Sequence, residues 1–281
     1  MTEGYVKQVL VTTDWLAKRL VDEDGIVVAE VDENPDLYDE GHIPGAVKLH
    51  WREDLQDPLE RDIVDKVEFE HLMSSRGIGN DTTVVLYGDK NNWFAAYAYW
   101  YLKIYGHEDV RIVDGGRQKW IDEGRDLTTD APALAPVRYS AREADESIRV
   151  RRDVVLAGLG QKGRALVDVR SPQEFSGELM APPGYEQEGA SRTGHIPTAK
   201  SIPWAQAVRD DGTFKSADEL RKLYGGKGVT PEKEVLAYCR IGERSAHTWF
   251  VLRELLGYPD VKNYDGSWTE WGNLVDVPIE R

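Results

Sequence analysis

Residues 41–51, GHIPGAVKLHW, return 153 positions later as residues 194–204, GHIPTAKSIPW. Two further blocks recur in the same order on either side. Upstream, VVAEVDENPDLY at 27–38 answers ALVDVRSPQEFS at 165–176. Downstream, YGHEDVRIVDGGRQKW at 105–120 answers LGYPDVKNYDGSWTEW at 256–271, pairing Gly106 with Gly257, Asp114 with Asp265 and Trp120 with Trp271. Three blocks in one order mean a duplicated domain. Between the copies runs TTDAPALAPVRYSAREADES, rich in Ala, Pro and polar residues. It reads as a linker over 128–147 that separates an N-terminal domain, 1–127, from a C-terminal one, 148–281.

Each copy alternates short β-branched runs with amphipathic stretches. In the first they are GIVVAEV, TVVLYG, AAYAYWYLKIYG and DVRIV; in the second, RALVDV, EVLAYC, SAHTWFVLRELLG and DVKNY. Strands that alternate with helical segments predict an α/β fold, a parallel sheet flanked by helices, built twice.

The bulk numbers narrow the function classes. A chain of 281 residues with 35 Lys and Arg against 50 Asp and Glu carries a net charge of −15. Nucleic acid and anionic membrane, both bound through basic surfaces, are therefore not expected partners. No apolar run approaches the length of a membrane helix, and the N-terminus MTEGYVKQVLVTTDW has neither a basic head nor an apolar core. With a lone cysteine that cannot form an internal disulfide, a cytoplasmic protein is expected.

That cysteine is the informative residue. Aligned without gaps, YGDKNNWFA at 87–95 stands opposite YCRIGERSA at 238–246, so that Gly88 faces Cys239 while Asp89 and Asn92 face Arg240 and Glu243. Any thiol chemistry belongs to the second copy, and the first is structural or a wall of the site. EVLAY predicts a buried strand and the residues after the loop a helix. Cys239 is thus expected at the carboxyl end of a strand, before a helix N-terminus, where open α/β sheets bind ligands. Backbone N–H groups of such a loop form an anion nest, and Gly242 allows the turn. The helix dipole, Arg240 and Arg244 all favour the thiolate, so a lowered thiol pKa is expected. A cysteine phosphatase is the nearest alternative chemistry. Four residues, RIGE, separate Cys239 from Arg244, where the phosphatase pattern has five; the shorter loop is sized for a single transferred sulfur.

Taken together, the repeated GHIP and DG blocks and the six-residue loop CRIGER resemble the tandem-domain rhodaneses, thiosulfate sulfurtransferases, and are most similar to the actinobacterial-type members. The resemblance covers essentially the whole chain. It implies an inactive N-terminal and a catalytic C-terminal rhodanese-like domain. Cys239 matches the catalytic cysteine that takes the outer sulfur of thiosulfate as a persulfide, releases sulfite, and passes the sulfur to cyanide or a thiol acceptor, a thiol protein included. Arg244 matches a substrate-binding position, and Arg240 a basic position of the thiosulfate-using members that mercaptopyruvate-using members lack. The donor-binding set implied is Arg240, Ile241, Gly242, Glu243 and Arg244, with neither metal nor organic cofactor. Two other functions stay open: 3-mercaptopyruvate sulfurtransferase, and a non-catalytic persulfide carrier.

The sequence departs from that pattern at Glu174, where several animal members have an arginine that contacts substrate; Arg170 and Arg192 are near in sequence. Asp168 and Arg170 are expected to pair and orient structure. His42 and His195, at matched positions before Ile-Pro, point to a shared turn, and His247 to a solvated or packed ring rather than a base. YGGKGVT at 224–230 lacks the phosphate-loop spacing and reads as a turn. The segment ELMAPPGYEQEGASRTGHIP carries 15 extra residues, because the offset between copies grows from 138 (Glu30 to Asp168) to 153 (Gly41 to Gly194). An insertion of that length over 178–193 is either a cover for the site or a neutral surface loop.

Overall fold

A computed structural model describes residues 4–22, 25–185 and 189–281. The chain forms two compact units. One contains residues 8–145 and 208–214; the other contains 146–207 and 215–281 together with residues 4–7. Each is built on a five-stranded sheet.

In the first unit the strands are β1 (Leu10–Val11), β2 (Ile26–Glu30), β3 (Val47–Lys48), β4 (Thr83–Tyr87) and β5 (Val110–Val113), in the order β1-β5-β4-β2-β3. In the second they are β6 (Arg149–Val150), β7 (Arg164–Asp168), β8 (Lys200–Ser201), β9 (Glu234–Tyr238) and β10 (Val261–Tyr264), in the order β6-β10-β9-β7-β8. Every ladder is parallel. The central runs are nearly continuous in Val, Leu, Ala and Tyr because a parallel sheet is covered on both faces. β1, β3, β6 and β8 have two residues each, too few to show a period, and they do not stand out in the sequence.

The duplication holds in register. β2 pairs with β4 from Ile26↔Thr83 to Glu30↔Tyr87, and β7 with β9 from Arg164↔Glu234 to Asp168↔Tyr238. Beyond each ladder the same closing bond appears: Val31 N–H to Tyr87 O at 2.8 Å, and Val169 N–H to Tyr238 O at 3.1 Å. The GHIP block supplies the same turn twice. The hydroxyls of Tyr87 and Tyr238 accept from the amides of Ile43 and Ile196, and the rings of His42 and His195 stack on Tyr38 and Phe175. These histidines build the turn, as their recurrence implied.

The helices are set by local chemistry. Ser171 and Ser216 open helices Pro172–Ser176 and Ala217–Gly225 with capping boxes completed by Glu174 and Glu219. Of helix Trp93–Ile104, all but Lys103 is buried, as expected for a helix apolar on every side. No helix among the described residues is long and apolar enough to cross a membrane.

Asp168 and Arg170 form a buried pair. Arg170 Nη2 lies 2.6 Å from Asp168 Oδ2, donates to Gly194 O at 2.7 Å, and its guanidinium lies 4.4 Å from the centre of the Trp268 ring. The pair ties the end of β7 to the GHIP turn. Arg170→Ala would leave a buried carboxylate without its counter-charge. It is expected to destabilise the fold by about 3 kcal/mol, read as a lowered midpoint of denaturant unfolding.

Candidate active site

β7 and β9 are neighbours, but the chain leaves β7 toward β8 on one side and β9 toward β10 on the other. The crevice at their carboxyl ends is where such sheets bind ligands. Cys239 follows β9 directly and is fully buried. Its amide donates to Ser267 Oγ at 3.1 Å. Ser267 has φ +51°, while the matching residue of the first copy, Gly116, has φ +60°. The second copy therefore keeps a serine in a left-handed conformation that costs about 1 kcal/mol, and gains a hydroxyl under the cysteine amide.

After Cys239 the loop turns at Gly242, φ +99°, where a Cβ would come within 2.9 Å of Asp265 Oδ1. Only glycine suits both the angle and the space. The turn aims the Gly242 N–H at Cys239 Sγ, 3.2 Å away. Asn263 on β10 fixes the turn from below: its Nδ2 donates to Gly242 O at 2.9 Å, and its Oδ1 accepts from Ser245 Oγ at 2.6 Å. Ser245 Oγ in turn lies 3.6 Å from Sγ. Helix Glu243–Trp249 then begins, and continues as a π-helical stretch, Phe250–Leu255.

All six loop residues, Cys239, Arg240, Ile241, Gly242, Glu243 and Arg244, are buried, and Gly242 and Glu243 reach the sulfur. Their electrostatics differ from the sequence expectation. Glu243 Oε2 lies 3.1 Å from Sγ and also accepts the Ile241 N–H at 3.2 Å, so a carboxylate of the chain itself occupies part of the nest. Glu243 Oε1 is 3.6 Å from Arg240 Nη2 and 3.6 Å from Arg244 Nε. Arg244 meets a second acid: Nη1 and Nη2 lie 3.1 and 3.2 Å from Oε2 and Oε1 of Glu174. Two guanidiniums thus face two carboxylates, and the site has no net positive excess.

Burial, and then the Glu243 carboxylate, push the Cys239 thiol above its ordinary pKa, with Arg244 acting in the opposite sense. The expected lowering is therefore corrected: the shift runs upward, away from the thiolate. Burial also disfavours charge on Glu174, but Arg244, the Ser171 amide and Arg170 together outweigh it and hold the carboxyl below its usual range. His247 is buried, and burial alone pushes it down to about 3. It is a neutral ring packed edge-on to Trp204 at 5.2 Å. Arg240 lies 4.3 Å from the ring centre of Tyr185, which belongs to the extra segment. The 178–193 insertion thus reaches the loop through Tyr185, while its residues 186–188 lie outside the described residues. Among the described residues no group of three or more His, Cys, Asp or Glu is placed to hold a metal ion.

Residues 12–123 and 152–274 both match the family model of the rhodanese-like domain. The chain belongs to the rhodanese family. It is 59% identical over 275 residues to the "Putative thiosulfate sulfurtransferase" of Saccharopolyspora erythraea, covering 98% of this chain and 97% of that protein. It is 61% identical over 282 residues to the "Sulfur carrier protein TtuD" of Thermus thermophilus, covering 99% of each. Among solved structures it resembles the anaerobic ergothioneine biosynthesis enzyme of Chlorobium limicola in complex with trimethyl histidine. The TM-score is 0.83 at 27% identity, over 97% of this chain and 70% of that one. Another structure of that fold, at 27% identity and TM-score 0.83, is an EanB variant carrying a cysteine persulfide in a tetrahedral intermediate state with ergothioneine.

The two rhodanese copies differ in chemistry as well as in the thiol. In the first, Asp32 stands where the second has Arg170, and Asp89 where it has Arg240. Burial and Glu30 push Asp32 up to about 9, and burial pushes Asp89 up to about 6. Lys90, Asn91 and Asn92 all have positive φ, and the Asn92 side chain fills the loop, accepting from Gly88 N–H at 3.0 Å and donating to Val113 O at 2.8 Å.

Three contributors to the site carry no sequence signal of their own: Asn263, Ser245 and Ser267. Glu174 stands out in sequence only as a departure from an arginine pattern. Its contact with Arg244 spans 70 residues.

Proposed function

We propose that this rhodanese is a sulfurtransferase that moves the outer sulfur of thiosulfate through a persulfide on Cys239 to a thiol acceptor or to cyanide. The observation that carries this reading is the seat of Cys239 Sγ, at the carboxyl end of β9, with the Gly242 N–H aimed at it from 3.2 Å and Arg240 and Arg244 in the same loop.

Chemistry begins from the thiol. Glu243 Oε2, 3.1 Å from Sγ, is the group set to accept its proton. The thiolate attacks the outer sulfur of thiosulfate, the bond between the two donor sulfurs breaks, and sulfite leaves with the electron pair. The Gly242 N–H, already on the sulfur, stabilises the charge of the persulfide that forms. An acceptor thiolate or cyanide then takes the outer sulfur and returns Cys239 as thiolate, which recovers the proton from Glu243. A reducing compartment such as the cytoplasm keeps the lone thiol in the form this cycle needs.

Glu243→Gln is expected to change the reactivity of Cys239 toward alkylation. With the carboxylate gone the thiol pKa falls, so the pH midpoint for alkylation of Cys239 by iodoacetamide shifts down and alkylation at neutral pH is faster. An unchanged alkylation midpoint would remove Glu243 from this role.

A second reading has support in the 61% identity to a protein named as a sulfur carrier. In it Cys239 holds the persulfide for a protein acceptor and does not turn over with small ones. Multiple turnovers with thiosulfate and cyanide separate the two, and the same assay with 3-mercaptopyruvate ranks the donors.

A further inference from the structure

We infer that Glu174 is a specificity-determining residue: by offsetting the charge of Arg244 it narrows the preference of the site for dianionic over singly charged sulfur donors. The inference rests on the sulfurtransferase reading, in which the donor approaches Cys239 beside Arg244.

Glu174 is not a flexible surface acid that donor binding easily displaces. It is 1% exposed and is the third residue of a capped helix. Its Oε2 accepts from both the amide and the hydroxyl of Ser171 at 3.0 Å, and its own amide donates to the Ser171 hydroxyl oxygen at 3.2 Å. The cap holds the carboxylate in place before Arg244 is considered. From there it meets both terminal nitrogens of Arg244 at once, the two-pronged geometry in which a guanidinium is most fully engaged. The remaining nitrogen, Nε, faces Glu243 Oε1 at 3.6 Å. A sulfonate entering the loop therefore finds Arg244 committed to two carboxylates.

The cap by itself does not call for charge. A glutamine completes a capping box as well as a glutamate does, so the negative charge at this position acts on Arg244 and on what Arg244 can bind. In a buried site one unit of charge within a few ångströms of a donor is a large term, and it grows with each charge the donor carries. Thiosulfate carries two; an alkane thiosulfonate offers the same transferable sulfur with one.

The test compares KM for thiosulfate and for methanethiosulfonate in the full chain, with cyanide as acceptor. Glu174→Gln keeps the cap and removes the charge. It is expected to lower KM for thiosulfate on the order of tenfold and KM for methanethiosulfonate by much less, so that their ratio falls. Glu174→Asp, which keeps the charge but withdraws it from Arg244, shifts the ratio the same way by a smaller amount, and carries the test if the glutamine variant does not fold. Ser171→Ala weakens the helix cap without removing charge and shifts the ratio by less than Glu174→Gln does. If the Glu174 variants change both KM values in parallel, or if Ser171→Ala shifts the ratio as far as Glu174→Gln, Glu174 only anchors the loop and the inference is overturned. Intact mass after thiosulfate keeps the two failures apart. Absence of one added sulfur on the wild-type protein sinks the sulfurtransferase reading; an added sulfur with an unaltered KM ratio sinks the role of Glu174 alone.

Discussion

Cys239→Ala is expected to abolish sulfur transfer, with no added sulfur on the protein after thiosulfate and no turnover with cyanide. The loss is complete because the chain has no second thiol to substitute. Everything arranged around the site acts on that one atom: the Gly242 N–H at 3.2 Å, Glu243 Oε2 at 3.1 Å and Ser245 Oγ at 3.6 Å. The fold should survive the change, since alanine keeps the Cβ and removes only the sulfur. An unchanged denaturant midpoint beside lost activity assigns the effect to chemistry. An added sulfur on the variant after thiosulfate, or retained turnover, would falsify the role of Cys239.

The converse experiment, Gly88→Cys in the Cys239→Ala background, is expected to fail by a wide margin. A Cβ at Gly88 would lie 2.1 Å from the carbonyl oxygen of Val31 and 3.0 Å from its carbon. That carbonyl cannot retreat freely, because the Val31 amide closes the β2–β4 ladder on Tyr87 O at 2.8 Å. Backbone must move, and a destabilisation of about 4 kcal/mol or more is expected, read from the unfolding midpoint. Even a tolerated thiol would meet Asp32 and Asp89 where the second copy has Arg170 and Arg240, and would form no persulfide. A stable, sulfur-loaded variant would show that the first copy is silent only for want of a cysteine.

Much of the fold was legible because duplication writes the same pattern twice. The central strands β2, β4, β5, β7, β9 and β10 are long enough to show as apolar runs, whereas two-residue edge strands such as β3 and β8 exist only through the neighbour they pair with. The loop CRIGER was legible as well, since its six residues are contiguous and the ungapped comparison with YGDKNNWFA isolates Cys239 against Gly88.

The charge state of the site was not legible. Counting along the chain gives two arginines within five residues of the cysteine and predicts a stabilised thiolate. In the folded loop Glu243 turns inward to the sulfur, and Glu174 arrives from the other side of the crevice with its position fixed by Ser171. The sequence alone determined the repeat, the parallel α/β architecture, and which copy bears the thiol, because these depend on residue order and period. Tertiary structure decided in which direction the pKa of that thiol moves and what charge a donor meets. Those properties depend on burial and on through-space distances between residues such as Glu174 and Arg244, which chain order does not encode.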